Sequence, residues 1–550
     1  MGTKRTITRG LLWTGFATWL CAFLSVLVVG LFAGSASAAT FTVTSTGDVS
    51  DPQAGDGSCG WPKSSPFYAI RSAIYPCTLR AAIEEVNARP PGTGPHTINF
   101  SIGFGNQTIS LTKALPDITQ PVVIDGGTQP VFVRNGLSSI LVPCSSGQIR
   151  HPCIQLNGSG LETASLLILA AENSTVRWLA IYNYYRSGII VTGDNDLIEA
   201  SYIGTDASGV RGPAPQYQGV NVFPLTAFGY SATVTNTVIR NNVISGNYDV
   251  GVRLYGEGVR NTQLLDNFIG TTVDGSAALL HLDCGPSDLM SSQMSSRQIG
   301  VWITYGASNN VIEHNLISGN CDGVVIDAFG LTDPSSPTTA RRTFNQVLGN
   351  RIGTNATGTS PVPNQRHGVL ISNASSNLVS TTASGTLNQI SWNHFGVTIA
   401  TTIWLDPNYA ISASDNKVLG NIVGSAPAEP LGNFIGVYLD GYVAGTEISS
   451  NFIAYNSLGI VARSLNMPAP SSQHNFVYNN TVSSNKSSGI WMKPGANGNT
   501  IQGNIARYNS LGEIGWDLVD ENPYVSSCAN TWINNLFFSV YDYYNHNCIH

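Results

Sequence analysis

The sequence predicts an all-β solenoid of stacked coils, and two observations carry that prediction. One is a repeated skeleton: an Asn, a short apolar run, a second Asn five residues after the first, and a Gly that opens a strand of alternating residues. Its clearest copy runs from Glu313 to Asp327, and the Asn pair returns as Asn242 and Asn247, Asn451 and Asn456, Asn480 and Asn485, and Asn504 and Asn509. The other is the Gly itself, which recurs at Gly188, Gly219, Gly251, Gly300, Gly323, Gly368, Gly396, Gly436, Gly459, Gly489 and, less cleanly, Gly515. Self-similarity at a period of about 23 to 50 residues marks a solenoid rather than one globular core.

The chain opens with Lys4, Arg5 and Arg9, an apolar run from Leu11 to Phe32, and Ala36-Ser37-Ala38. That order reads as a secretory signal peptide over residues 1–38, cleaved after Ala38, and so as a secreted or cell-surface protein without membrane contact afterwards. The run is also long enough to span a bilayer, so an uncleaved anchor is the alternative. Formal net charge is −7, and residues 1–38 hold three cations and no anion, which leaves −10 for the remainder. So acidic a chain, without a basic stripe, excludes nucleic acid as the expected partner. Only 11% of residues are charged while Gly numbers 57, which suits a solenoid of inward aliphatics and tight turns. An even number of cysteines in an exported chain reads as disulfides. Pairing sequence neighbours is simplest, Cys59 with Cys77, Cys144 with Cys153, Cys284 with Cys321 and Cys528 with Cys548, though spacing leaves other connectivities open. No Cys-x-x-Cys or His-x-x-x-His spacing supports zinc.

Residues 39–95 differ in pattern from the coils after them. Phe41, Val43 and Ser45 alternate with threonines as an opening strand. Leu79, Ala82, Ile83 and Val86 fall at i, i+3, i+4 and i+7, an amphipathic helix stopped by Pro90 and Pro91. Such a helix covers the open end of a solenoid, whose first coil otherwise presents unpaired strand edges. Between them Asp48, Asp51 and Asp56 with Gly57 form an acidic loop suited to Ca2+, the one cofactor suggested, although the spacing is not that of an EF-hand.

Cys77-Thr78-Leu79-Arg80-Ala81-Ala82-Ile83 resembles the N-terminal module of exported β-helix proteins named for a Cys-Ser-Leu-Arg-Glu-Ala motif, with Thr78 and Ala81 replacing Ser and Glu. The likeness continues through Thr97-Ile98-Asn99-Phe100, Val123-Ile124-Asp125-Gly126 and Gln155-Leu156-Asn157-Gly158. It continues in the recurring Ile203-Gly204-Thr205-Asp206, Ile269-Gly270-Thr271 and Ile352-Gly353-Thr354-Asn355. The resemblance implies a right-handed parallel β-helix over residues 96–519 behind the cap module at 39–95, and it implies no particular activity. Residues 520–550, which carry Cys528 and Cys548, read as a C-terminal cap.

After each Gly the first and third residues are apolar, as in Val301 and Ile303 or Val437 and Leu439, and these face inward. The second and fourth therefore point to solvent, and coils stacked about 4.8 Å apart turn them into two columns on one face. The second position reads Asn221, Arg253, Trp302, Val325, Leu370, Thr398, Tyr438, Val461, Trp491 and Asp517. The fourth reads Phe223, Tyr255, Thr304, Asp327, Ser372, Ala400, Asp440, Arg463 and Lys493. Insertions at Asp274–Gln298, Leu331–Arg342, Thr354–Arg366 and Ser425–Leu431 read as loops that wall a groove.

Aromatic rings beside charges on a long face suit a sugar chain, and Arg suits a uronate because it binds a carboxylate with two parallel bonds. An extracellular, acidic polysaccharide is therefore the expected partner. One patch, Arg253, Tyr255, Trp302 and Asp327, reads as substrate-binding, as do Tyr438 and Trp491 in the other. There Arg463 would neutralise a uronate carboxylate and Lys493 take its α-proton, with Asp440 beside them, which is lyase-type β-elimination. A salt-bridge ladder filling a solvent face is the structural alternative. As exposed side chains, Arg463 and Lys493 should each cost within about 0.5 kcal/mol when removed.

Hydrolysis needs two carboxylates about 5 to 9.5 Å apart. Asp327 and Asp440 stand three strands apart, about 14 Å, so a hydrolase would need loop carboxylates such as Asp206, Asp274, Asp283 or Asp288. None of the Asn-Thr-Asp, Asp-Asp, Gly-His-Gly or Arg-Ile-Lys motifs of polygalacturonase-type β-helices occurs. His314, His367 and His394 fall at turns or strand edges and read as structural. From another class, the sequence also fits a non-catalytic surface or adhesive rod.

Overall fold

The computed structural model describes Gly2 and residues 37–62, 64–72, 74–135, 138–147, 150–162, 164–211, 216–225, 232–280, 284, 298–328, 342–401, 413–424, 432–464, 473–510, 514–523, 527–543 and 547–549. Most of residues 1–38, the insertion at 425–431, most of those at 274–298 and 331–342, and with them Asp283 and Asp288, lie outside the described residues.

Among the described residues the chain winds as a parallel β-helix with three faces, formed by sheets of 15, 14 and 13 strands. Each coil gives one strand to each sheet in turn, as with Val311–Glu313, Leu316–Ile317 and Asp322–Asp327. The predicted inward residues stack in register, Val301 on Val324, Val369, Val397 and Val437, and all are fully buried. The glycines before them are a packing requirement. A Cβ at Gly300 would stand 2.7 Å from the Gly323 carbonyl oxygen of the next coil and 2.8 Å from Ile317 Cγ2.

Corners explain the asparagines. The turn from first to second sheet is mostly two residues, one with left-handed backbone and then Asn, as in Asp266-Asn267, His314-Asn315, Gly349-Asn350 and Ser450-Asn451. His314 is thus a turn residue. Asn315 donates from its backbone N–H and Nδ2 to Asn350 Oδ1 at 2.9 and 3.1 Å, and Asn350 repeats this onto Asn388 at 2.8 and 3.2 Å. Similar ladders climb the other corners, through Asn310, Asn345, Asn377 and Asn416 and through Asn364, Asn393, Asn433, Asn456 and Asn485. Each rung satisfies a buried N–H that no strand reaches.

At the N-terminal end Thr40–Val43 pairs with His96–Phe100 and heads the first sheet. The helix Leu79–Asn87 packs on both, burying Leu79, Ala82, Ile83 and Val86 as their spacing predicts. Thr78 caps it by accepting from Ala81 N–H. Arg80 is buried, pairs with Asp48 and donates to the carbonyls of Lys113 and Ala114, tying helix, loop and first coils together.

All four disulfides join the expected cysteines. Two features depart from expectation. Residues 520–550 hold more than a cap: Thr531–Ile533, Leu536–Phe537 and Val540–Asp542 add a strand to each sheet, with buried Trp532 pointing inward. An antiparallel hairpin, Pro130–Asn135 with Ser138–Pro143, interrupts the early coils and is followed by the Cys144–Cys153 bridge.

Candidate functional site

The outward columns lie on the third sheet, and the second-position residues pair in the expected order from Asn221 through Trp491. The next step does not hold. Trp491 pairs with Val519, while Asp517 takes the glycine position, its carbonyl accepting the Ile490 N–H. The Asp517 carboxylate accepts from Asn509 and from the N–H groups of Phe538 and Ser539, which ends an asparagine ladder. Gly515 is therefore not one of the column glycines.

Nor are the columns open stripes. Trp302, Val325, Thr398, Tyr438 and Val461, and in the fourth position Thr304, Ala400 and Asp440, are buried. The glycine breaks the alternation, so the residue before it also emerges on this face and packs against the second-position side chains. Val250, Ile299, Trp302 and Val325 make one such apolar cluster; Ile435, Tyr438 and Val461 make another, with Phe395 and Trp491 against it. Accessible members of the columns include Arg253, Tyr255, Asp327, Arg463, Trp491 and Lys493.

Both predicted patches assemble. In the first, the Arg253 guanidinium lies 4.5 Å from the Tyr255 ring centre and 4.8 Å from that of Trp302. Asp327 accepts from Trp302 Nε1 at 2.7 Å and from the Thr304 hydroxyl. Burial pushes the Arg253 pKa down, against the weaker pull of Asp249 and Asp327. In the second, Arg463 donates through Nε and Nη2 to the two Asp440 oxygens at 2.6 and 3.0 Å and lies 5.5 Å from the Tyr438 ring centre. Lys493 Nζ sits 4.1 Å from the Trp491 ring centre. Its pKa is lowered, chiefly by burial and also by Arg463, with Glu521 opposing. Burial, then Asp440, pushes the Tyr438 phenol up. Arg463 is thus not the free guanidinium expected: its fork is already filled by a carboxylate.

Other expected sites come apart. Asp48 faces Arg80 and Thr112; Asp51 accepts from the N–H groups of Gln53 and Gly60, and Asp56 from that of Ser58. The three turn to separate donors, and among the described residues no group of three His, Cys, Asp or Glu is placed to hold a metal. Asp206 and Asp274 close their own loops by accepting from Ser208 and Val210, and from Thr272 and Ser276. Those bonds hold the Asp274 carboxyl down at about 2. Asp327 and Asp440 are three strands apart, as expected.

The sequence reading took His367 and His394 only as structural, and it missed their partners and a ladder of tyrosines. Asp322 and His367 occupy the column before the glycines: His367 Nδ1 lies 2.8 Å from Asp322 Oδ1, and Arg366 Nη2 donates to Oδ2 at 2.5 Å. Burial pushes the Asp322 pKa up, but His367 and Arg366 outweigh it and hold it below the usual range. His394 stacks on Phe434 and meets Phe395 edge-on, its pKa lowered by burial and by His367. Along the border where the chain enters the third sheet, Tyr185, Tyr217 and Tyr248 form a ladder with ring centres 5.3 and 6.0 Å apart. Tyrosines just ahead of successive strands were the available signal.

Most of the long connections border this sheet, the exception being the stretch from Asp125 to Ile154 that holds the hairpin between the first and second sheets. Between Val222 and Val234, Ile269 and Ile299, Asp327 and Gln346, and Arg463 and Phe476 the chain leaves or enters the third sheet, whereas the corner between the other two is mostly two residues. Variation gathered at one face is where solenoids carry binding residues.

No family model matches the chain, and no curated protein does. Among solved structures it is similar to the A-module of Azotobacter vinelandii mannuronan C-5 epimerase AlgE4, at 14% identity and a TM-score of 0.43, over 82% of this chain and 94% of that one. It is also similar to the periplasmic alginate epimerase AlgG, at 12% identity and 0.35, over 71% and 77%. A mannuronic acid specific polysaccharide family 6 lyase from human gut microbiota matches at 10% identity and 0.30, over 75% and 77%. At such scores these likenesses carry no argument about activity.

Proposed function

We propose that the protein binds an extracellular acidic polysaccharide along the outer face of the third sheet. The observation that supports it is the pairing of cations with aromatic rings on that face. Arg253 lies against Tyr255 and Trp302, and Lys493 over Trp491, neither in an ion pair among the described residues. Rings take the apolar faces of pyranoses while cations take their acid groups. Four disulfides fit an oxidising compartment, and so export. The same proposal takes residues 1–38 as the export signal and 39–95 as a cap of the type the Cys77–Ile83 motif suggests.

The sharper form is cleavage by β-elimination, with Lys493, its pKa lowered by burial, as the base. Arg463 would then have to leave Asp440 to meet a uronate. That bidentate pair favours the second reading, a rod that binds without cutting. Incubation with acidic and neutral polysaccharides, with and without calcium, separates the readings when retention, unsaturated-uronate absorbance and reducing ends are followed together. Retention of acidic chains alone is the expected result. Absorbance rising with reducing ends establishes the lyase, reducing ends alone indicate hydrolysis, and no retention overturns the proposal.

A further inference from the structure

Arg253 and Arg463 stand on the same face and differ in one respect. Arg463 spends its fork on Asp440. The Arg253 side chain makes no hydrogen bond or ion pair among the described residues, and its Nε is buried without a partner. Its charged neighbours are occupied: Asp327 by Trp302 and Thr304, and Asp249 by Gln218 Nε2 at 3.4 Å. Asn221, directly beside it on the neighbouring strand, is also buried, with Oδ1 unpartnered. A guanidinium normally satisfies its donors, and leaving them unmet at a half-buried position carries a desolvation cost that a ligand would remove. The rings of Tyr255 and Trp302 hold the cation in place. Tyr185, Tyr217 and Tyr248 stand just ahead of three successive strands of this sheet, the last two of which carry Asn221 and Arg253, so the tyrosine ladder borders the same face.

We propose that Arg253 is the receptor for an oxyanion borne by a sugar, a carboxylate or a sulfate ester, and that the tyrosine ladder carries the adjoining sugar rings. The inference rests on the polysaccharide reading and moves recognition of the acid group from Arg463 to Arg253. Arg253 and Trp491 lie seven strands apart on the column, about 34 Å. Acid recognition is therefore remote from Lys493, and the face grips a chain at separated points.

Calorimetric titration tests this with a uronate oligosaccharide, its carboxyl-reduced counterpart and a sulfated oligosaccharide. Arg253→Gln should weaken binding of the charged oligosaccharide about tenfold or more, to the level of the reduced one. Arg253→Lys should also fall short of wild type, because an ammonium cannot make two parallel bonds. Loss confined to the uronate or to the sulfated arm names the anion. Tyr217→Ala should weaken charged and reduced oligosaccharides alike. Unchanged affinity in folded Arg253→Gln overturns this inference and leaves the polysaccharide reading standing, whereas a wild-type protein that binds none of the three overturns both. Should Arg253→Gln fail to fold, Arg253→Lys decides alone, and wild-type affinity there overturns the inference.

Discussion

The two partners of the Asp440–Arg463 pair differ in exposure, the carboxylate side chain at 6% and the guanidinium at 44%. Removing Arg463 therefore does not remove a surface charge; it strands a buried one. Arg463→Ala should cost about 1–2 kcal/mol, less than a fully buried pair because the guanidinium is half in water. Chemical denaturation checks this, and it exceeds the cost expected from outward alternation alone. Asp196 makes the opposite case. It accepts from Ser174 N–H, its second oxygen is buried without a partner, and burial together with Asp194 and Glu172 raises its pKa to about 8. Below its ordinary 3.8 the group is protonated folded and unfolded alike. As pH climbs from there toward 8, the unfolded chain releases a proton that the folded chain keeps, so stability falls across that window. Asp196→Asn should flatten this dependence and raise stability at about pH 8 by roughly 1–3 kcal/mol, read from unfolding midpoints across the range. Alternation sufficed to read direction: it put Arg253 beside Trp302 and Asp440 beside Arg463. Depth was not legible, because it depends on Ile299, Ile435 and the other residues ahead of the glycines, which a strict period of two assigns to the wrong face.

At the scale of elements, the corner ladders join the coils. Asn350 accepts twice from Asn315 and gives its own Nδ2 to Ile312 O and Asn388. Asn350→Ala should cost about 2–3 kcal/mol by leaving several buried groups unmet. Stability in a solenoid is shared between neighbours. The loss should therefore appear in amide exchange as weakened protection in the coils of Asn315, Asn350 and Asn388, and uniform weakening along the rod would contradict it. Much at this scale was legible. The five-residue Asn spacing marks the corners, and apolar spacing marks the cap helix from Leu79. The extra C-terminal coil went unread because the glycine is replaced by Asp517 in the coil before it and by Ser539 in its own, although Asn530 and Asn535 keep the spacing. The hairpin had its own sign in Gly136, first of the two residues between alternating runs. Three nearby carboxylates, as in the acidic loop, are as good for accepting backbone N–H groups as for holding an ion, so sequence alone does not separate the two.

For the whole molecule, one face differs from the other two. Its borders collect most of the long connections, and its accessible side chains include cations laid against rings. An acidic polysaccharide should meet this face, and not the sides formed by the first and second sheets. Amide hydrogen exchange of the protein with and without a saturating acidic polysaccharide tests that claim most directly. It should show added protection at Ser187–Val191, Gln218–Val222, Val250–Tyr255 and Ile490–Met492, with the first and second sheets unchanged. Added protection confined to the first or second sheet, or none at all while the polysaccharide is bound, would contradict it.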